Sequence, residues 1–281
     1  MADVLLKEQQ GPFDRCGLAS LDDLETREWE ETFRELELFQ DRFLRSRPHP
    51  PEYRWPRDPL HTCLRVWEYP YVYHHVKLWR QGWMLGDPPT VVDLGSGLTF
   101  FPLLIAELGN DVIPIDTDTV TRKAYSQIIP KIQLAHGSVM FTEGSALCIP
   151  LKTGVVDCLY CISVLEHIPG CTEVIKEVAR VLRPGGWFVL TFDVDLKGNF
   201  EVGARHFREL MKVISGFFET DLPEKTIHPL RVLTSENSPF PLYKSTRKSA
   251  FLRFLSRIKG SVVSKSRLFI SAYGGCYRRK C

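Results

Sequence analysis

The sequence predicts an α/β fold built on a doubly wound, mostly parallel sheet, and three observations carry that prediction. After Asp87, Pro88 and Pro89, short apolar runs begin to alternate with helix-like stretches. The runs TVVDLG, NDVIPID, VVDCLYCIS and GWFVLTFDV are too apolar to face solvent on either side, as strands covered by helices must be. Between them, LTFFPLLIAELG, TVTRKAYSQIIPKI and CTEVIKEVARVL have the length and periodicity of crossover helices. Right-handed crossovers then bring the carboxyl ends of the strands to one edge, where ligands bind in such sheets.

The elements follow in order along the chain. From Leu24 to Leu44, apolar residues at Trp29, Phe33, Leu36, Leu38, Phe39 and Phe43 recur near a 3.6-residue period, which makes an amphipathic helix. The prolines of RPHPPEYRWPRDP break any regular element. A second helix runs through LRVWEYPYVYHHVKLWRQG, interrupted or begun at Pro70. Residues 1–87 therefore read as an N-terminal helical extension, residues 88–235 as the α/β domain and residues 236–281 as a basic C-terminal extension. Within the domain, HFRELMKVISGFFET reads as a helix running into a strand, and IHPLRVLTSEN as holding a last strand.

Bulk composition supports this division. With 281 residues, 44% of them hydrophobic, the chain can bury one large core and leave the remainder for extensions. The start MADVLLKEQQ has no apolar run behind a basic one, and no stretch approaches the ~20 apolar residues of a spanning helix. The expectation is a cytoplasmic protein. The 8 cysteines, scattered without a secretory signal, are expected as reduced thiols. Cys158 and Cys161 have CxxC spacing but fall in one strand, where residues three apart point to opposite faces, so a shared zinc is not expected. Asp193, Asp195 and His206 are too loosely spaced for a metal motif. From Lys244 onward the chain carries 11 Lys and Arg and no Asp or Glu, leaving 25 basic against 34 acidic residues before it, a balance of −9.

The stretch VVDLGSGLTFFP, from Val91 to Pro102, carries the first chemical signal. A strand ending in a glycine turn lets a ligand approach bare backbone. A phosphate loop would require GxxxxGK[ST], which is absent. A dinucleotide fingerprint would require a third glycine where Phe100 stands. Asp93, directly before the glycines, is awkward beside a diphosphate and suited to a cation. Some 20 residues on, Asp116 ends the second strand, where a carboxylate can accept both hydroxyls of an adenosine ribose. That geometry serves NAD and S-adenosylmethionine equally.

Three further stretches break the tie: EGSALCIPL before the fourth strand, SVLEHIP after it, and RVLRPGGWFVLTF leading into the fifth. With VVDLGSG and Asp116, in this order and spacing, they resemble the class I S-adenosylmethionine-dependent methyltransferases, within the broad group that includes the quinone-biosynthesis type (methyltransferase type 11). The resemblance covers roughly residues 90–195 and is specific for cofactor, not for acceptor. It implies a Rossmann-like, seven-stranded, mostly parallel sheet and S-adenosyl-L-methionine as cofactor. It also implies that Asp93, Gly95, Ser96 and Gly97 surround the methionine part, that Asp116 takes the ribose and that Thr117 packs near adenine. Ser145 and Ala146 occupy the adenine-contacting position, where family members usually carry Asp in place of Ser145. Ser163 lines the methionine side through its backbone. RPGG is read as a structural turn.

If the acceptor is a hydroxyl, His167 in SVLEHIP is the candidate general base, while Glu166 reads as structural. The cluster WEYPYVYHH (Glu68, Tyr71, Tyr73, His74, His75) sits in a segment placed to lid the site, and Glu68 and Tyr71 are expected near the cofactor. Nucleic acid is disfavoured as acceptor, because SVLEHIP is neither NPPY-like nor DPPY-like and Pro169-Gly170-Cys171 is not Pro-Cys. Between Thr246 and Lys259, Phe251, Phe254, Leu255 and Ile258 fall on one helical face among cations, a pattern suited to an anionic membrane surface. The WEYP lead-in is similar to methyltransferases of bacterial glycan and natural-product clusters. It implies O-methylation of a saccharide, lipid-linked or polymeric, or of a related metabolite. The rivals are another small-molecule or RNA methyltransferase, a nicotinamide-dependent oxidoreductase and a non-catalytic binding module.

Overall fold

The computed structural model describes residues 11–46, 49–198, 202–241 and 269–281. A short strand β1 (Gly17–Leu18) leads into the single-turn helix α1 (Leu21–Leu24) and the long helix α2 (Arg27–Arg45). The Thr26 hydroxyl caps α2 by accepting from the Trp29 N–H at 3.2 Å. Helix α3 (Arg65–Gln81) then runs without interruption through Pro70. A proline there has no N–H to donate to the carbonyl four residues back, Val66. The Trp29 indole N–H donates to that Val66 carbonyl at 3.0 Å. The side chain that fills the vacancy belongs to α2, so the proline's defect becomes the joint between the two helices.

The sheet follows in the expected alternation: β2 (Thr90–Leu94), α4 (Phe101–Glu107), β3 (Asp111–Asp116), α5 (Thr119–Ile128), the short β4 (Ser138–Val139) and β5 (Thr142–Glu143), β6 (Val156–Ile162), α6 (Cys171–Val181), β7 (Leu182–Asp195), α7 (Ala204–Phe217) and β8 (Phe218–Glu219). The last strand, β9 (Ile270–Arg279), closes the series. Of the nine strands among the described residues, seven lie side by side in the order β1-β9-β7-β6-β2-β3-β4, with β5 beside β3 and β8 beside β9. The run β7-β6-β2-β3-β4 is parallel, and β9 is antiparallel to both β7 and β1. Helices cover both faces: α3, α4 and α5 bury Trp67, Phe101 and Tyr125 on one, while α6 and α7 bury Val178 and Ile214 on the other. Cys158 and Cys161 lie on opposite faces of β6, in different core clusters. Among the described residues no group of three or more His, Cys, Asp and Glu side chains is placed to hold a metal ion. No helix among them is long and apolar enough to cross a membrane.

Two boundaries read from sequence differ from the structure. The stretch assigned to a basic extension contains β9, buried from Ile270 to Tyr277 and paired along nine residues of β7. Its glycines hide it from any strand pattern, yet they are what the packing needs. A Cβ on Gly274 would stand 2.6 Å from the Trp67 ring and 2.9 Å from that of Tyr71. Conversely, the N-terminal segment is no appendage: β1 pairs with β9, and α3 packs on β6, β7 and β9. The strand expected in IHPLRVLTSEN is a 3-10 turn, Pro229–Arg231, with a single bridge from Val232 to Ser20. The amphipathic stretch Thr246 to Lys259 lies outside the described residues.

Candidate active site

A cavity of about 600 Å³ opens at the carboxyl ends of β2, β3, β6 and β7, the edge that right-handed crossovers dictate. Its floor is the turn after β2. Gly95 and Gly97 adopt φ of +75° and +53°, and the Gly95 and Ser96 N–H groups both donate to the Ile115 carbonyl, at 2.8 and 3.2 Å. The Gly97 N–H donates to Asp116 Oδ2 at 2.8 Å, and the Asp118 N–H donates to Asp116 Oδ1 at 2.9 Å. One carboxylate thus ties the glycine turn to the end of β3, and each of its oxygens keeps a further lone pair for a ligand. The glycines are also required by protein neighbours. A Cβ at Gly95 would lie 2.6 Å from Val164, and one at Gly97 would lie 3.1 Å from the Tyr53 hydroxyl.

Burial sets the electrostatics of this floor. Asp93 is 5% exposed, and loss of solvent pushes its carboxyl well above the ordinary carboxylate range. The Tyr160 phenol pulls the other way, and the charge of Asp116 adds to the rise. Asp116 is also raised, again chiefly by burial. Two buried acids that repel one another are stabilised by a positive ligand. An adenosyl sulfonium brings that charge together with ribose hydroxyls for Asp116, so the residues present fit it. Thr117, Ser145 and Ala146 line the adjoining wall, where the Ser145 hydroxyl accepts from the Leu147 N–H at 3.2 Å.

The opposite wall joins β6 to α3. Ser163, just past β6, has φ of +50°, uncommon for a residue with a side chain. Its hydroxyl donates to Glu68 Oε1 at 2.9 Å, which anchors it. Arg65 Nη1 lies 3.4 Å from Glu68 Oε2 and donates to the Ile162 carbonyl at 3.3 Å. His167 lines the cavity with its ring 6.5 Å from that of Trp55, and its Nε2 is 3.9 Å from Glu166 Oε1.

Of the residues expected from sequence, Glu68, Asp93, Gly95, Ser96, Gly97, Asp116, Thr117, Ser145, Ala146, Ser163 and His167 all line this cavity. Tyr71 does not. Arg65, Glu68 and Tyr69 share the cavity-facing side of α3, and at 100° per residue Tyr71 turns away from it. Its ring stacks on Trp67 and its hydroxyl donates to the Arg15 carbonyl at 2.9 Å. Sequence reading missed Arg65 and Tyr69, weighed Asp193 only as a metal ligand, and passed over the proline-rich segment before α3. Tyr53 from that segment accepts from the Leu98 N–H at 2.9 Å, and Trp55 and Pro59 continue the wall toward Phe240. The repeated aromatics between those prolines were the available signal.

Residues 92–190 match the family model described as a methyltransferase domain. The domain is that of a class I S-adenosylmethionine-dependent methyltransferase. The chain is 32% identical over 120 residues to an "uncharacterized methyltransferase" of Mycobacteroides abscessus, covering 42% of this chain and 46% of that protein. A similarly described protein of Mycobacterium sp. (strain JLS) is 33% identical over 120 residues, with 42% and 45% covered. The match thus spans about half the length of these curated relatives. Among solved structures, YcgJ of Bacillus subtilis superposes with a TM-score of 0.51 at 14% identity, covering 74% of this chain and 98% of its own. The [4+2]-cyclase SpnF gives 0.52 at 14%, covering 83% and 89%. At such identity these two speak for the fold alone, and the cyclase is a reminder that a fold does not fix a reaction.

Proposed function

We propose that the chain transfers a methyl group from S-adenosylmethionine to a hydroxyl of a small-molecule acceptor, a saccharide or related metabolite. The observation that carries this reading is one continuous cavity. It runs from the buried acids Asp93 and Asp116 to a half-open region walled by Trp55, His167, Asp193 and Phe240. Aromatic faces beside carboxylates and imidazoles suit a ring that is apolar on its faces and hydroxylated at its edge. When bound, the cofactor supplies a methyl already activated on a sulfonium. The chain's residues then have two tasks. The walls exclude water and hold the acceptor oxygen in line, and His167 takes the hydroxyl proton as the new bond forms.

Calorimetry with S-adenosylmethionine, its demethylated product and NAD tests the cofactor assignment. Binding of the first two supports it, and binding of NAD alone refutes it. Incubation with methyl-labelled cofactor and fractionated extract tests the acceptor: label in saccharide or glycan is expected, and label in RNA, protein or a quinone overturns that part. The basic stretch that begins at Lys244 is proposed to meet an anionic membrane surface. Pro241 and Ile270, on either side of it in sequence, line the cavity. Equal liposome sedimentation of the full chain and of a variant with the Lys and Arg residues of 244–267 replaced by Gln would remove that idea.

A further inference from the structure

In the proline-rich wall of the cavity stands a histidine whose two ring nitrogens both meet acids. His61 Nδ1 lies 2.9 Å from each carboxylate oxygen of Asp58, and its Nε2 lies 2.9 Å from Glu37 Oε1 on α2. A carboxylate only accepts, and a neutral imidazole has a single N–H to give. The two contacts are therefore made together by the protonated ring. Partial burial works against that charge, but Asp58 and Glu37 outweigh it and raise the imidazole above the ordinary histidine range. Phe33 of α2 and Phe240 pack edge-on against the same ring and bring no charge to it.

This bridge has α2 on one side and the cavity wall on the other. Asp58 is steadied without the ring, since it accepts from Gln40 Nε2 at 2.8 Å and from the His61 N–H at 3.2 Å. Glu37 meets the segment through the ring. Phe240 lies with its ring 4.9 Å from that of His61, and its carbonyl accepts from the Cys63 N–H at 2.9 Å. The Ser238 hydroxyl donates to the Cys63 carbonyl at 2.6 Å, and Cys63 itself is held at φ +40°, a strained angle for a residue with a side chain. At the far end of the segment, Tyr53 accepts from the Leu98 N–H beside the glycine turn. Tyr53, His61 and Phe240 all line the cavity, whereas Glu37 is not part of its lining.

We infer that His61 is the positioning residue of this outer wall and acts as a protonated bridge: with a proton on each nitrogen it clamps residues 53–63, and Phe240 with them, to α2, and losing one proton slackens the wall and its hold on a bound ligand. The ligand half of this inference rests on the cofactor reading above. The sign follows from the raised value. A group whose folded pKa exceeds its unfolded one contributes fully below the unfolded value, and that contribution is lost as pH rises through the folded value. The clamp is thus closed on the acid side and slack on the alkaline side.

Two measurements on the full chain test it. In a nuclear magnetic resonance titration of the histidine ring protons, the signal absent from His61→Gln belongs to His61; should that variant not fold, the signal moved by Glu37→Gln identifies it. Its midpoint is expected above the ordinary histidine value in the wild type and lower in Glu37→Gln. Calorimetry with 5′-methylthioadenosine, an adenosine thioether without an ionising amino-acid head, then reads the hold on the ligand. Glu37→Gln should bind it about 2–5-fold more weakly than the wild type on the acid side of the His61 midpoint, the scale of one partly exposed charged contact. The two proteins should converge on the alkaline side. A midpoint at or below the ordinary value, or a weakening that is the same at every pH, would overturn the inference while leaving the cofactor reading intact. Failure of the wild type to bind methylthioadenosine at any pH would overturn the cofactor reading and the coupling with it, even with a raised His61 midpoint.

Discussion

Replacing Gly95 by Ala tests how the floor of the cavity is built. Two separate penalties are expected. The backbone stands at φ +75°, where a Cβ costs about 1–2 kcal/mol. The added carbon would also lie 2.6 and 2.7 Å from the two Val164 γ-carbons, an overpacking worth about 1–3 kcal/mol if the loop after β6 cannot retreat. Together they give a destabilisation of about 2–5 kcal/mol, a large share of the ~5–15 kcal/mol that holds an ordinary domain together. Urea unfolding of the ligand-free protein measures it, with a lower midpoint at unchanged slope as the signature. Val164→Ala removes the colliding carbons and leaves the backbone strain. The double variant should therefore be less destabilised than the sum of the singles by about 1–3 kcal/mol. Additivity within about 0.5 kcal/mol would refute the collision, and a Gly95→Ala protein as stable as the wild type would refute both penalties.

Three further outcomes follow from the same contacts. Trp29→Phe should cost about 1–3 kcal/mol by leaving the Val66 carbonyl without its donor. The cost should shrink in a Pro70→Ala background, where a backbone N–H returns. Asp93 has a folded pKa above its unfolded value, so it favours the folded state at low pH and that contribution is lost as pH rises through the elevated pKa. Asp93→Asn should flatten this fall in the ligand-free protein and abolish the thermal stabilisation given by S-adenosylmethionine; a wild type and variant with parallel pH profiles would contradict it. His75 is pushed down to about 3, chiefly by burial, so its contribution is present above the ordinary histidine pKa and disappears as pH falls from there toward 3. His75→Gln should lose less stability than the wild type between pH 7 and 4.5 in urea titrations.

What the sequence made legible was what is local and periodic. The four buried strands, the crossover helices and the acids at the ends of β2 and β3 all carry their signal within a few residues, and each stands where it was expected. What it hid depends on contacts between distant segments. In β9, Gly274 stands where α3 brings Trp67 and Tyr71 against the strand and Gly275 where the Tyr277 ring lies, and a strand shaped by such contacts has no pattern of its own. Tyr71 was placed in the cavity because an aromatic cluster on a helix does not declare its phase. Only the position of the sheet makes Arg65, Glu68 and Tyr69 the inner side. The segment from His49 to Pro59 reads as a break, yet its Tyr53 closes on the glycine turn through the Leu98 N–H.

The same distinction explains why one short motif serves two masters. Gly95 admits a ligand to the backbone, but the side chain nearest its missing Cβ is Val164, from the loop after β6. Asp116 offers lone pairs to a ribose, but it already holds Gly97 and Asp118 in place. A floor tied together in this way pre-forms the site, so less ordering remains to be done when a ligand arrives. The cost is charge: Asp93 and Asp116 are both raised, chiefly by burial, and a proton or a cation relieves it. In the proposed reaction a sulfonium that gives up its methyl becomes a neutral thioether, so the acidic floor would hold the product less strongly than the cofactor. Release after transfer is therefore favoured by the residues that drive capture before it.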